Sequence, residues 1–221
     1  MALTNDLISK TINDNSKLIA LAGNPNVGKS TIFNALTGLN QHTGNWPGKT
    51  VSSAIGVYKY NNNTYTLIDL PGTYSLLPNS KEEEVARDFI CFDKHNLTIV
   101  VIDATALERN LNLALQVIEA NNNVLVCVNL MDEAKKKEIT IDLKKLSKIL
   151  KVPVIGTCAT SKRNLSMLIK EIENKSNIFI QNKKPILQYS NYIENVINKM
   201  IIILNKYVND NYNKRFLAIK L

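Results

Sequence analysis

The sequence predicts an α/β fold: a mostly parallel six-stranded sheet with one antiparallel edge strand, plus a small C-terminal helical domain. Three observations predict it. Short β-branched apolar runs alternate with segments of helical period. The first of these runs leads straight into a glycine-rich signature, GNPNVGKS at 23–30. The alternation then stops near residue 178, where a long helical stripe takes over. Repeated strand–helix units bring each strand back parallel to the last and cover the sheet on both faces.

Residues 1–16 (MALTNDLISKTINDNS) lack the apolar stretch of a secretory signal and read as a flexible arm. Lys17–Ala22 (KLIALA) is a short buried strand ending at a glycine, and Lys29–Thr37 is a helix stopped by Gly38. Val51–Tyr60 and Thr64–Asp69 read as strands of a hairpin turned at Asn61–Asn63. Leu97–Asp103 (LTIVVID) and Val124–Asn129 (VLVCVN) carry the pattern of central parallel strands. Between them, Leu107, Leu111, Leu115 and Ile118 recur at helical spacing. Leu143–Leu150, Pro153–Thr157 and Leu165–Ile178 continue as helix, strand and helix. Gln181–Pro185 (QNKKP) reads as a linker, and Ile193, Val196, Ile197, Met200, Ile201, Leu204, Val208 and Tyr212 as one apolar helical stripe. The expected domains are thus an α/β unit at 17–178, a linker at 179–185 and a helical unit at 186–221.

Composition bounds the function. The chain has 221 residues, 45% hydrophobic and 21% charged, which suits one good core. No run of about 18 apolar residues is present, so a cytosolic location is expected. Cys91, Cys127 and Cys158 form no CxxC pair and read as buried free thiols, while His42 and His95 are too few for a zinc site. The net charge of +8 permits contact with nucleic acid or an anionic surface. Much of it is scattered lysine, however, and Lys135–Lys137 reads as a solvated turn.

GNPNVGKS fits G-x-x-x-x-G-K-[ST] between a strand and a helix. Its glycines let backbone N–H groups wrap phosphates, Lys29 neutralises the terminal phosphates, and the Ser30 hydroxyl can ligate Mg²⁺. The binding set from this loop is Gly23, Asn24, Pro25, Asn26, Val27, Gly28, Lys29, Ser30 and Thr31. DLPG at 69–72 follows a strand. Asp69 there can hold the Mg²⁺ shell through water and the Gly72 N–H can sense a γ-phosphate, with Leu70 and Pro71 between them. In NLMD at 129–132, Asp132 can accept from the N1–H and 2-amino group of guanine, which adenine cannot offer. Asn129 can brace base and phosphate loop, Leu130 and Met131 joining the two. Thr157, Cys158 and Ala159 follow the next strand, where the Ala159 N–H can reach the guanine oxygen. Together these features select GTP over ATP.

This order of motifs resembles the Ras-like class of P-loop GTPases. GNPNVGKS, GNWPGKTV, DLPGTYSL, VARDF, DATALERNL and NLMDEA resemble, in that order, the N-terminal G domain of the bacterial ferrous iron transporter FeoB family, over roughly residues 17–178. The tail ending in RFLAIKL is similar to the family's helical domain, described as favouring GDP retention. The resemblance implies a GTP hydrolase at the cytoplasmic face of the bacterial membrane. Its partners would be the permease domain of the same transporter, small cytosolic Feo proteins and further copies of itself, with no nucleic acid. The permease is absent from this sequence, which is expected to be a piece of a longer protein or a stand-alone domain.

A Ras-type glutamine is missing, since Thr73 follows DLPG. By the resemblance to potassium-activated GTPases, Asn26 would ligate K⁺ together with the carbonyls of Gly44 and Trp46, and Thr50 would contact Mg²⁺. The other, less favoured reading of Asn26 is a plain turn residue of the phosphate loop. The loop Gly44, Asn45, Trp46, Pro47, Gly48, Lys49 and Thr50 is thereby expected to be a nucleotide-dependent switch, its Trp restricted to extended backbone by the following proline. Lys29, Asn26, Thr50 and Gly72 form the expected catalytic group, using Mg²⁺, K⁺ and GTP. Glu82–Glu84 would relay switching or simply form a solvated helix start, and Glu108 and Arg109 have no derived role. Against this stand two other readings: an RNA-associated GTPase of ribosome or tRNA maturation, and a nucleotide sensor with negligible turnover.

Overall fold

The computed structural model describes residues 16–38, 41–45, 51–121, 123–161, 163–178, 187–209 and 212–221, with 41–45 and Ser52 described by their backbone alone. β1 (Lys17–Gly23) is buried along nearly its whole length. α1 (Lys29–Thr37) follows, with Gly28 before it (φ 78°) and Gly38 after it (φ 62°) in the left-handed region, where glycine meets no Cβ penalty. β2 (Gln41–Asn45), β3 (Ser52–Tyr60) and β4 (Asn63–Asp69) come next. The β3–β4 hairpin pairs Tyr60 with Asn63. Its two turn residues, Asn61 (φ 46°) and Asn62 (φ 64°), take the left-handed conformation that asparagine tolerates and a two-residue hairpin demands.

α2 (Lys81–Phe92) starts at Ser80, whose side chain accepts from the Glu83 N–H, and carries Glu82, Glu83 and Glu84 in its first turn against the positive end of the helix dipole. β5 (Leu97–Asp103), a short 3₁₀ turn, α3 (Leu107–Ala120), β6 (Val124–Asn129), α4 (Met131–Lys136), α5 (Leu143–Leu150), β7 (Val154–Gly156) and α6 (Leu165–Ser176) follow. α7 (Asn191–Tyr207) and α8 (Lys214–Lys220) form the tail.

The sheet order is β2-β3-β4-β1-β5-β6-β7. β1 pairs in parallel with β4 and β5, and β5, β6 and β7 continue in parallel. β3 alone runs against its neighbours. The six expected strands are all present, and β2 adds a seventh outside β3, at the edge. Its sequence, QHTGN, has no apolar alternation to announce a strand. What holds it is the backbone ladder to β3 from Gln41↔Gly56 to Asn45↔Ser52.

Alternate residues of the central strands feed two cores. Ile19, Leu21, Leu67, Ile99, Val101 and Leu125 pack with Ile32 and Phe33 of α1 and Leu168 and Ile172 of α6. Leu18, Ala20, Ile68, Val100, Val126 and Val128 pack on the other face with Val85 and Phe89 of α2, Leu113 and Val117 of α3 and Leu150 of α5. Phe216 of α8 belongs to this second core.

The tail is two helices rather than the single stripe to Tyr212. α7 ends at Tyr207, and Val208 is already extended (φ −116°, ψ 130°). The Asn-rich stretch that follows supplies side chains that compete for backbone bonds, and Asn213 accepts from the Phe216 N–H to start α8. Asn213 also donates to the Glu119 carbonyl (2.7 Å), and Arg215 bonds Glu119 (2.9 Å) and both carboxylate oxygens of Glu194 (2.8 and 2.9 Å). These contacts fasten the tail to the end of α3. The expected arm through residue 15 and the linker at 181–185 lie outside the described residues. No helix among the described residues is long and apolar enough to cross a membrane.

Candidate functional site

The carboxyl ends of β1, β4, β5 and β6 meet at one end of the sheet, where an open parallel sheet offers its crevice. Gly23 closes β1 so tightly that an added Cβ would sit 2.6 Å from the Val101 carbonyl of β5. The loop then turns through Asn26 (φ 65°) and Gly28 (φ 78°), which aims backbone N–H groups inward ahead of α1. Asn24, Pro25, Asn26, Gly28, Lys29, Ser30, Thr31 and Gly72 line a recess of about 470 Å³. Gly72 belongs there because its Cα faces Pro25, where a Cβ would come within 3.2 Å of the backbone nitrogen. The Thr73 N–H donates to the Gly23 carbonyl (3.2 Å) and the Leu70 N–H to that of Leu21 (3.0 Å), so the DLPG turn is stitched to the phosphate loop.

Three expected ligand groups come together here. The Lys29 ammonium pairs with Asp69 Oδ1, and the Ser30 hydroxyl donates to Asp69 Oδ2 (3.2 Å). A hydroxyl and a carboxylate at the foot of a phosphate loop are hard oxygen donors of the kind Mg²⁺ takes, so these residues fit that ion.

The base end is built around Asn129, 1% exposed at the tip of β6. Its Nδ2 donates to the Val27 carbonyl (3.0 Å), while its Oδ1 accepts from the Ala159 N–H (3.2 Å) and the Thr157 hydroxyl (3.2 Å). Asn129 therefore braces the phosphate loop, and in this structure it also occupies the Ala159 N–H expected to face guanine. A Cβ on Gly28 would lie 2.4 Å from Asn129 Nδ2, which only glycine avoids. Leu130 takes the left-handed conformation (φ 61°) to launch α4 and put Asp132 in its first turn, and the Met131 N–H donates to the Thr157 carbonyl (3.2 Å). The neighbouring Cys158 side chain and the backbone N–H groups of Asp132 and Glu133 hold the Asp132 carboxyl below the usual range despite desolvation, while its Oδ1 is buried with no hydrogen-bond partner among the described residues. Cys91, Cys127 and Cys158 are free thiols. Burial pushes Cys91 and Cys127 up to about 12, which makes them inert at neutral pH.

Several residues were not legible as a working set. The Thr73 hydroxyl donates to the Ser75 carbonyl (2.7 Å) and lies 3.2 Å from Glu83 Oε1, while Glu83 Oε2 accepts from the Asn79 N–H (2.8 Å). Gln116 of α3 accepts from the Leu76 N–H (2.8 Å), and Arg109 lies over the Tyr74 ring (5.8 Å). The segment after DLPG is thus pinned to α2 and α3. The Ser80-x-x-Glu83 spacing signals the α2 start, but no local pattern announces Gln116 or Arg109 as its partners. Gly44 and Asn45 are backbone members of β2. Trp46, Pro47, Gly48, Lys49 and Thr50 lie outside the described residues.

Comparison with known proteins agrees with this geometry. The model of the family described as ferrous iron transport protein B matches residues 17–172. Curated relatives include the Fe(2+) transporter FeoB of Staphylococcus aureus, 39% identical over 201 residues, and that of Methanocaldococcus jannaschii, 48% identical over 205. The first alignment covers 90% of this chain and the second 92%, each taking up 30% of the relative's length. The cytosolic domain of the T. maritima FeoB iron transporter in a GDP form superposes with a TM-score of 0.86 at 38% identity, covering 93% of this chain and 79% of that one. The same domain in its GMPPNP form gives 0.85 at 36% identity, covering 92% and 80%. With a phosphate loop, a DLPG turn and a braced NLMD end on a Ras-like P-loop GTPase sheet, and with the family match spanning all of them, the chain belongs to the ferrous iron transport protein B family.

Proposed function

We propose that the chain binds and hydrolyses GTP as the cytosolic regulatory part of a ferrous iron transporter. The observation that carries this reading is the Asn129 side chain, which ties the phosphate loop at Val27 to the base end at Thr157 and Ala159. A single guanine nucleotide spanning both is the ligand such a bridge serves. The GDP and GMPPNP forms of the T. maritima domain, a protein of the same fold, support it.

In the mechanism we infer, Lys29 and the loop N–H groups hold the β- and γ-phosphates and the Gly72 N–H registers the γ-phosphate. Water attacks the γ-phosphorus in line and the bond to the bridging oxygen breaks, giving GDP and phosphate. Ser30 and Thr50 would hold Mg²⁺, with Asp69 behind a water. When bound, the ion supplies charge neutralisation at the phosphates. Asn26, Gly44 and Trp46 would hold K⁺ in the same capacity. The Thr73 hydroxyl is already engaged by Ser75 and Glu83. Placement of the water therefore falls to backbone groups of the 44–50 loop, which would order with GTP and release with GDP. The nucleotide domain would occupy 17–178 and a helical domain that slows GDP release 186–221, flanked by the arm at 1–16 and the linker at 179–185. At the cytoplasmic face of the membrane this chain would have the membrane permease of the same transporter as its partner, together with small cytosolic Feo proteins.

The test is GTP hydrolysis in K⁺ against Na⁺. The wild type should turn over roughly tenfold or more faster in K⁺, and Asn26→Asp should lose the difference. Equal rates in both salts would remove K⁺ from the mechanism, and no turnover in either would leave a nucleotide sensor. Asp132→Asn should shift preference from GTP towards XTP by roughly tenfold or more, since the carboxylate acceptor is gone. An unchanged ratio would take Asp132 out of the base site.

A further inference from the structure

α5 carries a surface that nucleotide chemistry does not use. The helix starts at Asp142, whose carboxylate accepts from the Lys145 N–H (2.9 Å), and it packs Leu143, Leu146 and Leu150 inward. Leu143 lies so close to β7 that a Cβ on Gly156 would sit 2.7 Å from its Cδ1. With the leucines fixed on that side, the outer side is lysine. Lys144 and Lys148 fall within about 40° of each other around the axis, with Lys145 and Ile149 beside them. The three lysines are exposed, and Ile149 is 59% exposed among them. Lys135–Lys137, at the end of α4, are exposed as well.

Residues 135–151 hold seven lysines against Glu138 and Asp142, a local balance of +5 in a chain whose total is +8. Lys136 pairs with Glu133 (2.7 Å), but Lys135, Lys137, Lys144, Lys145 and Lys148 have no carboxylate partner among the described residues. A solvated helix face ordinarily mixes both signs, as Lys170, Glu171, Glu173 and Lys175 do on α6, because like charges three or four residues apart repel. The lysine face of α5 keeps that repulsion, which a negatively charged surface would relieve. Ile149 would lose its contact with water in the same step. Aliphatic side chains beside lysines suit the headgroup boundary of an anionic bilayer. Nucleic acid offers similar charge, but residues 133–151 contain no aromatic side chain to stack on a base and no arginine to clasp a phosphate.

We infer that the α4–α5 lysine face docks this chain on an anionic lipid surface, with Lys144, Lys145 and Lys148 on the headgroups and Ile149 at their boundary with the acyl chains. The inference rests on the proposed function only for the nearness of a membrane. None of these residues lines the recess of Asn24, Lys29 and Gly72, so that recess stays open in the docked state.

The experiment is co-sedimentation of the chain with vesicles of phosphatidylcholine alone and of phosphatidylcholine with about 30% phosphatidylglycerol. Wild type should bind the anionic vesicles roughly tenfold or more tightly than the neutral ones, and about 0.5 M salt should remove most of the difference. Lys144→Gln with Lys148→Gln should lower anionic binding roughly tenfold or more, with the thermal midpoint and GDP affinity unchanged. Ile149→Ser should lower it about threefold or more, and it tests the same face if the lysine pair does not fold. Lys199→Gln with Lys206→Gln removes the same charge from α7 and should leave binding within about twofold. Equal binding to both vesicles, or as large a loss from the α7 pair as from the α5 pair, would overturn the docking face. Tighter retention on an RNA oligonucleotide than on the vesicles, lost with Lys144 and Lys148, would overturn the lipid and assign the face to nucleic acid. Vesicle binding that follows the expected pattern in a chain that binds no GDP would keep the docking face and overturn the GTPase reading instead.

Discussion

On the side of β6 and β7, Asn129 makes three buried hydrogen bonds, Cys127 and Thr157 meet at 3.2 Å, and the Thr157 N–H donates to the Val128 carbonyl at 2.7 Å. On the side of β1 and β4 the arrangement is different. Lys29 and Asp69 hold each other, and Asn24, 1% exposed, has neither amide atom hydrogen-bonded among the described residues. Buried polar groups are ordinarily satisfied, so an orphaned amide in a ligand loop marks local cost retained there. The end around Asn129 is held by neutral, short-range bonds, and the one buried atom there without a partner among the described residues is a carboxylate oxygen, Asp132 Oδ1. The end around the glycine-rich loop is held by the Lys29–Asp69 charge pair.

The largest test of this contrast removes the brace. Asn129→Leu leaves the Val27 carbonyl and the Ala159 N–H without their partner and the Thr157 hydroxyl with Cys127 Sγ alone, and should lower the unfolding free energy by about 3–5 kcal/mol. Chemical denaturation measures it, and a loss below about 1 kcal/mol would mean that the base end is not held by this side chain.

The next test lies at the opposite end of the same strands. His95 is half-buried, with Nδ1 2.9 Å from the Asp93 carbonyl, Nε2 2.6 Å from the Thr98 hydroxyl and 2.7 Å from Asn121 Nδ2, and its ring stacked on Phe89. Desolvation lowers its pKa to about 4, against the bond to Asp93, which raises it. The unfolded chain therefore binds a proton that the folded chain refuses. The stabilisation is complete above about pH 6.5 and disappears as pH falls to about 4, a change of up to about 3 kcal/mol. Melts of wild type and His95→Asn between neutral pH and pH 4 should converge on acidification. Parallel curves would show that His95 does not set the acid limit of the β5–β6 side.

The smallest effect should come from Thr157→Val, which removes one of the two donors to Asn129 Oδ1 while the Ala159 N–H remains. It should cost about 1 kcal/mol and weaken GDP binding by less than about tenfold. A larger loss of affinity than of stability would place Thr157 on the nucleotide itself rather than behind Asn129.

Much of the molecule follows from local pattern. KLIALA, LTIVVID and VLVCVN are strands because β-branched apolar runs of that length fit a sheet buried on both faces. The signatures GNPNVGKS, DLPG and NLMD could be read because their chemistry lies in neighbouring residues with fixed spacing. Gly38 marks the end of α1 for the same local reason. Tertiary structure decided the partners. Asn129 and Val27 are 102 residues apart, Lys29 and Asp69 are 40 apart, and Arg215 and Glu119 are 96 apart. It also decided that QHTGN forms an edge strand, that the tail breaks into two helices, and that Gln116 and Arg109 hold the segment after DLPG. A side chain's propensity is set by its own backbone neighbourhood. Its hydrogen-bond partner is set by which distant elements the packed sheet brings within about 3 Å, and no single stretch of sequence contains that information.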